Sequence, residues 1–123
     1  MNEKAFDLED RLVEFAIRTI TVVEALPETR VGKHVAGQLV RSGTSPAPNY
    51  GEARAAESRK DFIHKIKICL KELRETLVWL KIAHRKPLCE PSRLEPILSE
   101  TNELISIFVT SIRTAEEQQS GTK

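Results

Sequence analysis

The sequence predicts an all-α fold, an antiparallel up-and-down four-helix bundle whose second helix is kinked or broken near Gly43-Pro46. Four segments repeat apolar residues at spacings of three and four, the period of an amphipathic helix. Short connections separate these segments, and they favour antiparallel neighbours. No segment shows the alternation typical of a strand. The length of 123 residues fits one domain, residues 1–123.

The first helix is predicted from Leu8 to Leu26. It ends there because the residue before Pro27 is excluded from the α region. Its inner stripe consists of Leu8, Leu12, Phe15, Thr19, Val22 and Leu26. Beside that stripe lie Val13, Ala16, Ile20 and Val23. We therefore expect a broad buried face.

The second helix follows its N-cap, Thr29, and is interrupted in the middle. Gly43 weakens the helix there. Ser45 and Pro46 have the residue types of an N-cap and a first helical position, so the helix restarts at once. The two halves then count as one bent rod. An alternative bundle of five short helices stays open.

The third helix is predicted from Arg59 to about Arg85, because Ser58 with Asp61 resembles a capping box. Its seam repeats at four and three: Phe62, Ile66, Cys69, Leu73, Thr76, Leu80 and Ala83. Prolines bracket the next turn, and Ser92 is the predicted cap of the fourth helix. The core stripe of that helix is Leu94, Leu98, Thr101, Ile105, Phe108 and Ile112. We expect a frayed tail from about residue 117.

The net charge of +1 conceals an uneven distribution. Residues 58–86 carry nine basic and three acidic groups, whereas residues 1–26 and 87–123 each carry three basic and six acidic groups. On the third helix, opposite the seam, the cations fall within an arc of about 100° and extend over roughly 38 Å. Apart from Val78, this basic face consists of Lys60, His64, Lys67, Lys71, Arg74, Lys81 and Arg85.

Two interpretations of the basic face remain. It is either a solvated surface, partly neutralised by acids on neighbouring helices, or a surface that binds the backbone of a nucleic acid. The candidate acids are Glu14, Glu24, Glu100 and Glu103. The length of the face matches about one duplex turn of ~34 Å. It contains no aromatic residue that stacks on bases, so no sequence readout is expected.

Three apolar residues of the third helix lie between its seam and its basic face: Ile68, Trp79 and Ile82. Large apolar residues in line on a surface mark a contact site, which predicts a subunit interface here. The alternative is that the fourth helix leans over and covers them.

The stretches "RLVEFAIRTI", "LPETRVGKHVAGQLVRSGTSPAPNYGEA" and "SRKDFIHKIKICLKELRETLVWL" resemble the 23S ribosomal RNA intervening-sequence proteins over roughly residues 6–113. The resemblance implies a closed four-helix bundle, often a ring-shaped homopentamer, with no established enzymatic activity. A related group assists diversity-generating retroelements through a basic surface for nucleic acid and reverse transcriptase. The chain departs from the family pattern at residues 46–50, which here are Pro-Ala-Pro-Asn-Tyr. This departure puts in doubt any role of a free backbone N–H at Pro48.

Other chemistry finds little support in the sequence. His34, His64 and His84 are far apart, and the cysteine spacing of a zinc site is missing. The Glu-x-x-His motif of di-iron bundles is missing too. A helix N-terminus at Thr44-Ser45 suits a phosphate poorly, because the two prolines remove two N–H donors. We expect no catalytic residue, no metal, no cofactor and no small-molecule substrate.

The compartment is predicted from the two cysteines and the N-terminus. About 17 residues of helix separate Cys69 from the turn that holds Cys89, a rise of roughly 25 Å. The three residues after the helix can bring Cys89 back towards Cys69 by at most about 10 Å. The two cysteines therefore cannot approach closely enough to form a disulfide. The chain has no apolar run of roughly 18 residues and begins with an acidic segment. We therefore expect a cytoplasmic protein with free thiols and no membrane partner.

These observations leave two hypotheses. The first is a non-catalytic oligomer of this chain that binds RNA, DNA or an RNA–protein complex through the basic face. The second is a protein–protein assembly module that binds no nucleic acid.

Overall fold

A computed structural model describes the backbone of residues 3–121 and the side chains of residues 8–120. This part of the chain contains helices and turns and no strand. The elements are α1 (Glu3–Ala25), α2 (Arg30–Thr44), α3 (Pro46–Arg54), α4 (Arg59–Arg85), a 3-10 turn (Pro91–Arg93) and α5 (Glu95–Gly121). The helices α2 and α3 both pack against α4 as one broken rod, so the fold is the predicted helical bundle.

The packing places α1 and α4 at opposite corners of the bundle. α4 packs against α2, α3 and α5, whereas α1 packs mainly against α2 and to a lesser extent against α3 and α5. The side chains that fill the centre are fully buried: Leu12, Phe15, Leu39, Leu73, Leu80, Leu104 and Phe108. Burial of one such side chain contributes about 1.5–3 kcal/mol to folding. The outward sides of α1 and α4 therefore face opposite directions.

The break between α2 and α3 comes from two prolines. Neither Pro46 nor Pro48 has an N–H, so two helical hydrogen bonds cannot form, and the ladder resumes where Asn49 N–H donates to Ser45 O over 3.2 Å. The predicted position of the break is confirmed. The prediction of Ser45 as an N-cap is wrong, because Ser45 stays in the right-handed helical region. Its hydroxyl instead accepts a 2.9 Å hydrogen bond from Asn49 Nδ2.

The structure confirms two of the three other N-caps predicted from the sequence. Thr29 Oγ1 accepts from Gly32 N–H, and Ser58 Oγ accepts from Asp61 N–H, both over 3.0 Å, which confirms these caps. The helix that follows Ser58 is unbroken to Arg85, as predicted. Ser92, in contrast, lies within the 3-10 turn, and α5 begins three residues later. The frayed tail from about residue 117 concerns motion and stays a prediction, since α5 continues to Gly121.

The buried face of α1 is narrower than predicted. Leu12, Phe15 and Thr19 are fully buried. Val13 and Ile20, expected to widen that face, are 44% and 41% exposed, so this part of the prediction is wrong. The reason is the bundle geometry: α2, α3 and α5 cover only part of the circumference of α1, and Val13 and Ile20 lie on the side that these helices leave open.

Candidate nucleic-acid interface

The basic face lies on the outward side of α4. All seven predicted residues are exposed: Lys60, His64, Lys67, Lys71, Arg74, Lys81 and Arg85. One flank of α4 is held against α3, where Lys65 Nζ lies 2.7 Å from Glu52 Oε1. The other flank is held against α5, where Lys67 Nζ lies 2.9 Å from Glu116 Oε2. The structure therefore brings the predicted residues together on one continuous surface.

Most cations of the basic face have no acidic partner. Apart from Lys67, none of its members lies within ion-pair distance of a carboxylate in the described part of the chain. Two of the acids expected to neutralise the face are engaged elsewhere, because Arg11 pairs with Glu100 at 2.8 Å and Glu103 at 3.3 Å. The positive charge of the face therefore remains available to an external anion.

Two of the three acids of α4 itself are also engaged. Arg41 of α2 forms ion pairs with Glu72, at 3.3 Å, and with Glu75. The hydrogen bond from Arg41, with a second from Trp79, lowers the pKa of Glu75 below its ordinary value of 4.5. Glu75 is therefore ionised at neutral pH and is held towards α2, away from the cations of the basic face.

The three residues predicted as a subunit interface have different environments. Ile68 is half-buried. Trp79 is half-buried against the core, meets the ring of His34 edge-on at 5.6 Å and donates from Nε1 to Glu75 Oε2 over 3.1 Å. Ile82 is 42% exposed. Trp79 thus has partners within its own chain, and the interface on these residues stays a prediction.

Val78 is an exposed apolar residue within the basic face, for which the sequence alone predicts no role. Val78 is 54% exposed and lies among the cations, one helical turn before Ile82. The break that Val78 makes in the row of cations is the sequence signal for it, and with Ile82 it forms a small exposed apolar patch on this surface.

The remaining candidate chemistry is not assembled by the fold. At the break, Thr44 Oγ1 donates to Val40 O, and Asn49 Nδ2 donates to Ser45, so local bonds engage these side chains. Both cysteines are free, as predicted. Burial raises the pKa of the Cys69 thiol to about 12, which keeps it protonated. Among side chains 8–120, no three metal-ligating residues cluster.

In the described part of the chain, no helix is both long enough and apolar enough to span a membrane.

Comparison with known proteins bears on the fold and the family. A crystal structure of a protein of unknown function from the S23 ribosomal protein family of Bacteroides thetaiotaomicron VPI-5482 is similar, with a TM-score of 0.82 and 33% sequence identity. The alignment covers 89% of this chain and 98% of that one. No curated protein sequence matches the chain. The model of the 23S rRNA-intervening sequence protein family matches residues 4–110. Since that match spans most of the sequence, the chain belongs to the 23S rRNA-intervening sequence protein family.

Proposed function

We propose that this chain is a non-catalytic, oligomeric bundle protein that binds the sugar–phosphate backbone of RNA or DNA through the basic face of α4. The main support for the proposal is that most cations of the basic face form no ion pair with a carboxylate of the described chain. One member of the face, Lys67, has a carboxylate partner in the described chain, whereas the others are exposed and without one. Unpaired cations in a row attract a polyanion, because binding releases the counterions condensed on its phosphates.

The residue types of the face support backbone contacts without base readout. Lysine and arginine bind phosphate, and Arg74 and Arg85 also present the fork geometry that suits it. No aromatic side chain accompanies them for base stacking. The face has no thiol or hydroxyl nucleophile among its members, so the proposal assigns it binding and no reaction. The description of the family refers to intervening sequences of 23S rRNA, which is consistent with an RNA partner.

Salt dependence tests this proposal. A labelled structured RNA titrated with the protein at several salt concentrations reports the number of phosphates neutralised. Six contacts to a duplex region give a slope of log K against log[salt] of about −5. A slope near zero, or no binding at low salt, would contradict the proposal.

A second candidate function is the assembly module without nucleic-acid binding. It is favoured by the two exposed apolar residues, Val78 and Ile82, that lie within or beside the basic face. On this hypothesis the cations keep the surface soluble and steer a protein partner. An oligomer that binds no RNA at any salt concentration would support the second candidate over the first.

A further inference from the structure

A cavity of about 250 Å³, the α1–α5 cavity, lies between the C-terminal half of α1 and the start of α5. Its walls are mostly apolar and are formed by Val22, Ala25, Leu94, Pro96 and Ile97. Val22, Leu94 and Ile97 are buried members of the core, whereas Pro96 is exposed. Pockets for drug-sized ligands measure about 300–1,000 Å³, so this cavity suits a smaller molecule.

Two arginines line the cavity without a carboxylate partner. Arg18 of α1 is half-buried, and Arg93 of the 3-10 turn is exposed. Neither lies within ion-pair distance of an acidic side chain among the described residues. Cys89 lines the cavity as well. Burial raises the pKa of its thiol, and the charge of Arg93 opposes that rise, so this guanidinium lies near the sulfur.

The acids of α5 do not neutralise these arginines. Arg11, two helical turns before Arg18 on α1, pairs with two acids of α5 at 2.8 Å and 3.3 Å. Glu95, at the start of α5, lies beside His84, with 3.6 Å between Glu95 Oε2 and His84 Nε2. These three acids of α5 therefore lie towards other partners, and the two arginines of the cavity keep their positive charge.

We propose that the α1–α5 cavity binds a small organic carboxylate. Arg18 and Arg93 hold the carboxylate, and the apolar walls cover the rest of the ligand. A guanidinium donates two parallel N–H bonds to a carboxylate, which gives this pair both strength and orientation. An inorganic anion gains less, because apolar walls replace none of the hydrogen bonds that it loses to water. The cavity shares no residue with the basic face of α4, so this binding goes beyond the proposed function.

Four probes test the ligand class in titrations followed by two-dimensional NMR: sodium hexanoate, hexan-1-ol, hexylammonium chloride and sodium phosphate. We expect saturable binding of hexanoate that is about tenfold tighter than that of hexan-1-ol, because the alcohol loses the charge-assisted hydrogen bonds. Hexylammonium has the wrong charge and phosphate has no apolar body, so both should bind more weakly than hexanoate. No saturable binding of hexanoate, or equally tight binding of any other probe, would overturn the proposal.

A double variant tests the two arginines. Arg18→Gln with Arg93→Gln is expected to weaken hexanoate binding about tenfold or more and to leave hexan-1-ol binding nearly unchanged. Arg30→Gln with Arg113→Gln is the matched control, because it removes two exposed arginines that lie outside the cavity and lack a carboxylate partner in the described chain. Equal losses in the two double variants would show that net charge alone attracts the anion, and would overturn the proposal.

Cys89 provides a second measurement within the cavity. Saturating hexanoate is expected to slow its alkylation by iodoacetamide, a neutral reagent, at least about threefold, because the ligand covers the thiol. The same concentration should leave the rate unchanged in the Arg18→Gln, Arg93→Gln variant, whose helical content circular dichroism checks. A wild-type rate that saturating hexanoate does not change would place the ligand elsewhere and overturn the proposal.

Discussion

Gly43 of α2 and Thr19 of α1 approach so closely that a Cβ on residue 43 would lie 2.5 Å from Thr19 Cγ2 and 2.6 Å from Thr19 Oγ1. Both residues are buried, and both backbones are helical there. The glycine at this position is therefore required for the contact between α1 and α2, beyond any part it has in the break of the second rod.

The first prediction concerns this contact. Gly43→Ala is expected to lower the free energy of unfolding by about 1–2 kcal/mol, because overpacking costs about 1–3 kcal/mol and the gain in helix propensity returns up to ~1 kcal/mol. Gly37→Ala is the matched control on the same helix. A Cβ there meets no atom within 4 Å, so we expect a gain of about 0.5–1 kcal/mol. Urea denaturation measures both, and equal effects would contradict this explanation of Gly43.

The second prediction concerns the hydrogen bond between Thr76 and Ser42 in the core. Thr76 Oγ1 lies 2.9 Å from Ser42 Oγ, and both residues are fully buried. Thr76→Val leaves the Ser42 hydroxyl without this partner and is expected to cost about 1–3 kcal/mol of stability. Adding Ser42→Ala is expected to recover part of the loss, since replacing both partners removes the unsatisfied group. Thermal denaturation of the two single variants and the double variant tests this, and strictly additive losses would contradict it.

The break in the second rod was predictable, and the caps were only partly so. Gly43 and Pro46 act through local backbone chemistry, which a sequence displays directly. Ser45 has the residue type of a cap but stays helical, because Asn49 four residues later donates to its side chain and its carbonyl. That bond depends on geometry that no local pattern specifies.

Burial was less predictable than helix position. Val13 and Ile20 are hydrophobic and were expected to widen the buried face of α1, but each follows a buried residue by one position, which at about 100° per residue turns it well away from that face. The structure leaves both exposed, because α2, α3 and α5 cover only the other side of α1. The sequence also could not predict whether the cations of the basic face have acidic partners. That depends on the packing that places Glu100 and Glu103 next to Arg11.

The third prediction concerns acid pH. The folded-state pKa of Glu75 is lowered, chiefly by its hydrogen bond from Arg41, so this group stabilises the fold above its unfolded pKa, which is near 4.5. Its contribution is lost as the pH falls through the lower, folded value. Unfolding measured from about pH 5 down to about pH 3 should therefore show a shallower loss of stability in Glu75→Gln than in the wild type. Glu28→Gln is the matched control, because this highly exposed acid lies 3.9 Å from Lys33 and a solvent-exposed ion pair contributes little to stability. Identical profiles for wild type and Glu75→Gln would contradict the assignment.

The fourth prediction concerns the two thiols. Cys69 is fully buried, its pKa is raised to about 12, and its Sγ lies 3.5 Å from Pro46 O. Cys89 is half-buried, and burial also raises its pKa. Iodoacetamide reacts with the thiolate and must reach the sulfur atom to do so. At neutral pH it should therefore modify the more accessible Cys89 first, and Cys69 only after unfolding. Mass spectrometry of the labelled peptides reports the order. Faster labelling of Cys69 in the folded protein would show that the core around it opens.

The measurement that tests the central claim most directly compares two double variants with the same change in net charge. Lys60→Glu with Arg74→Glu removes two exposed cations of the basic face that have no carboxylate partner among the described residues. Arg30→Glu with Lys33→Glu removes two exposed cations of α2. In titrations of one structured RNA at fixed salt, the account predicts that the α4 variant loses most of its affinity and about 2 units of salt slope, while the α2 variant binds nearly as the wild type does. Equal losses in both variants would show that net charge alone governs binding, and would contradict a nucleic-acid surface on α4.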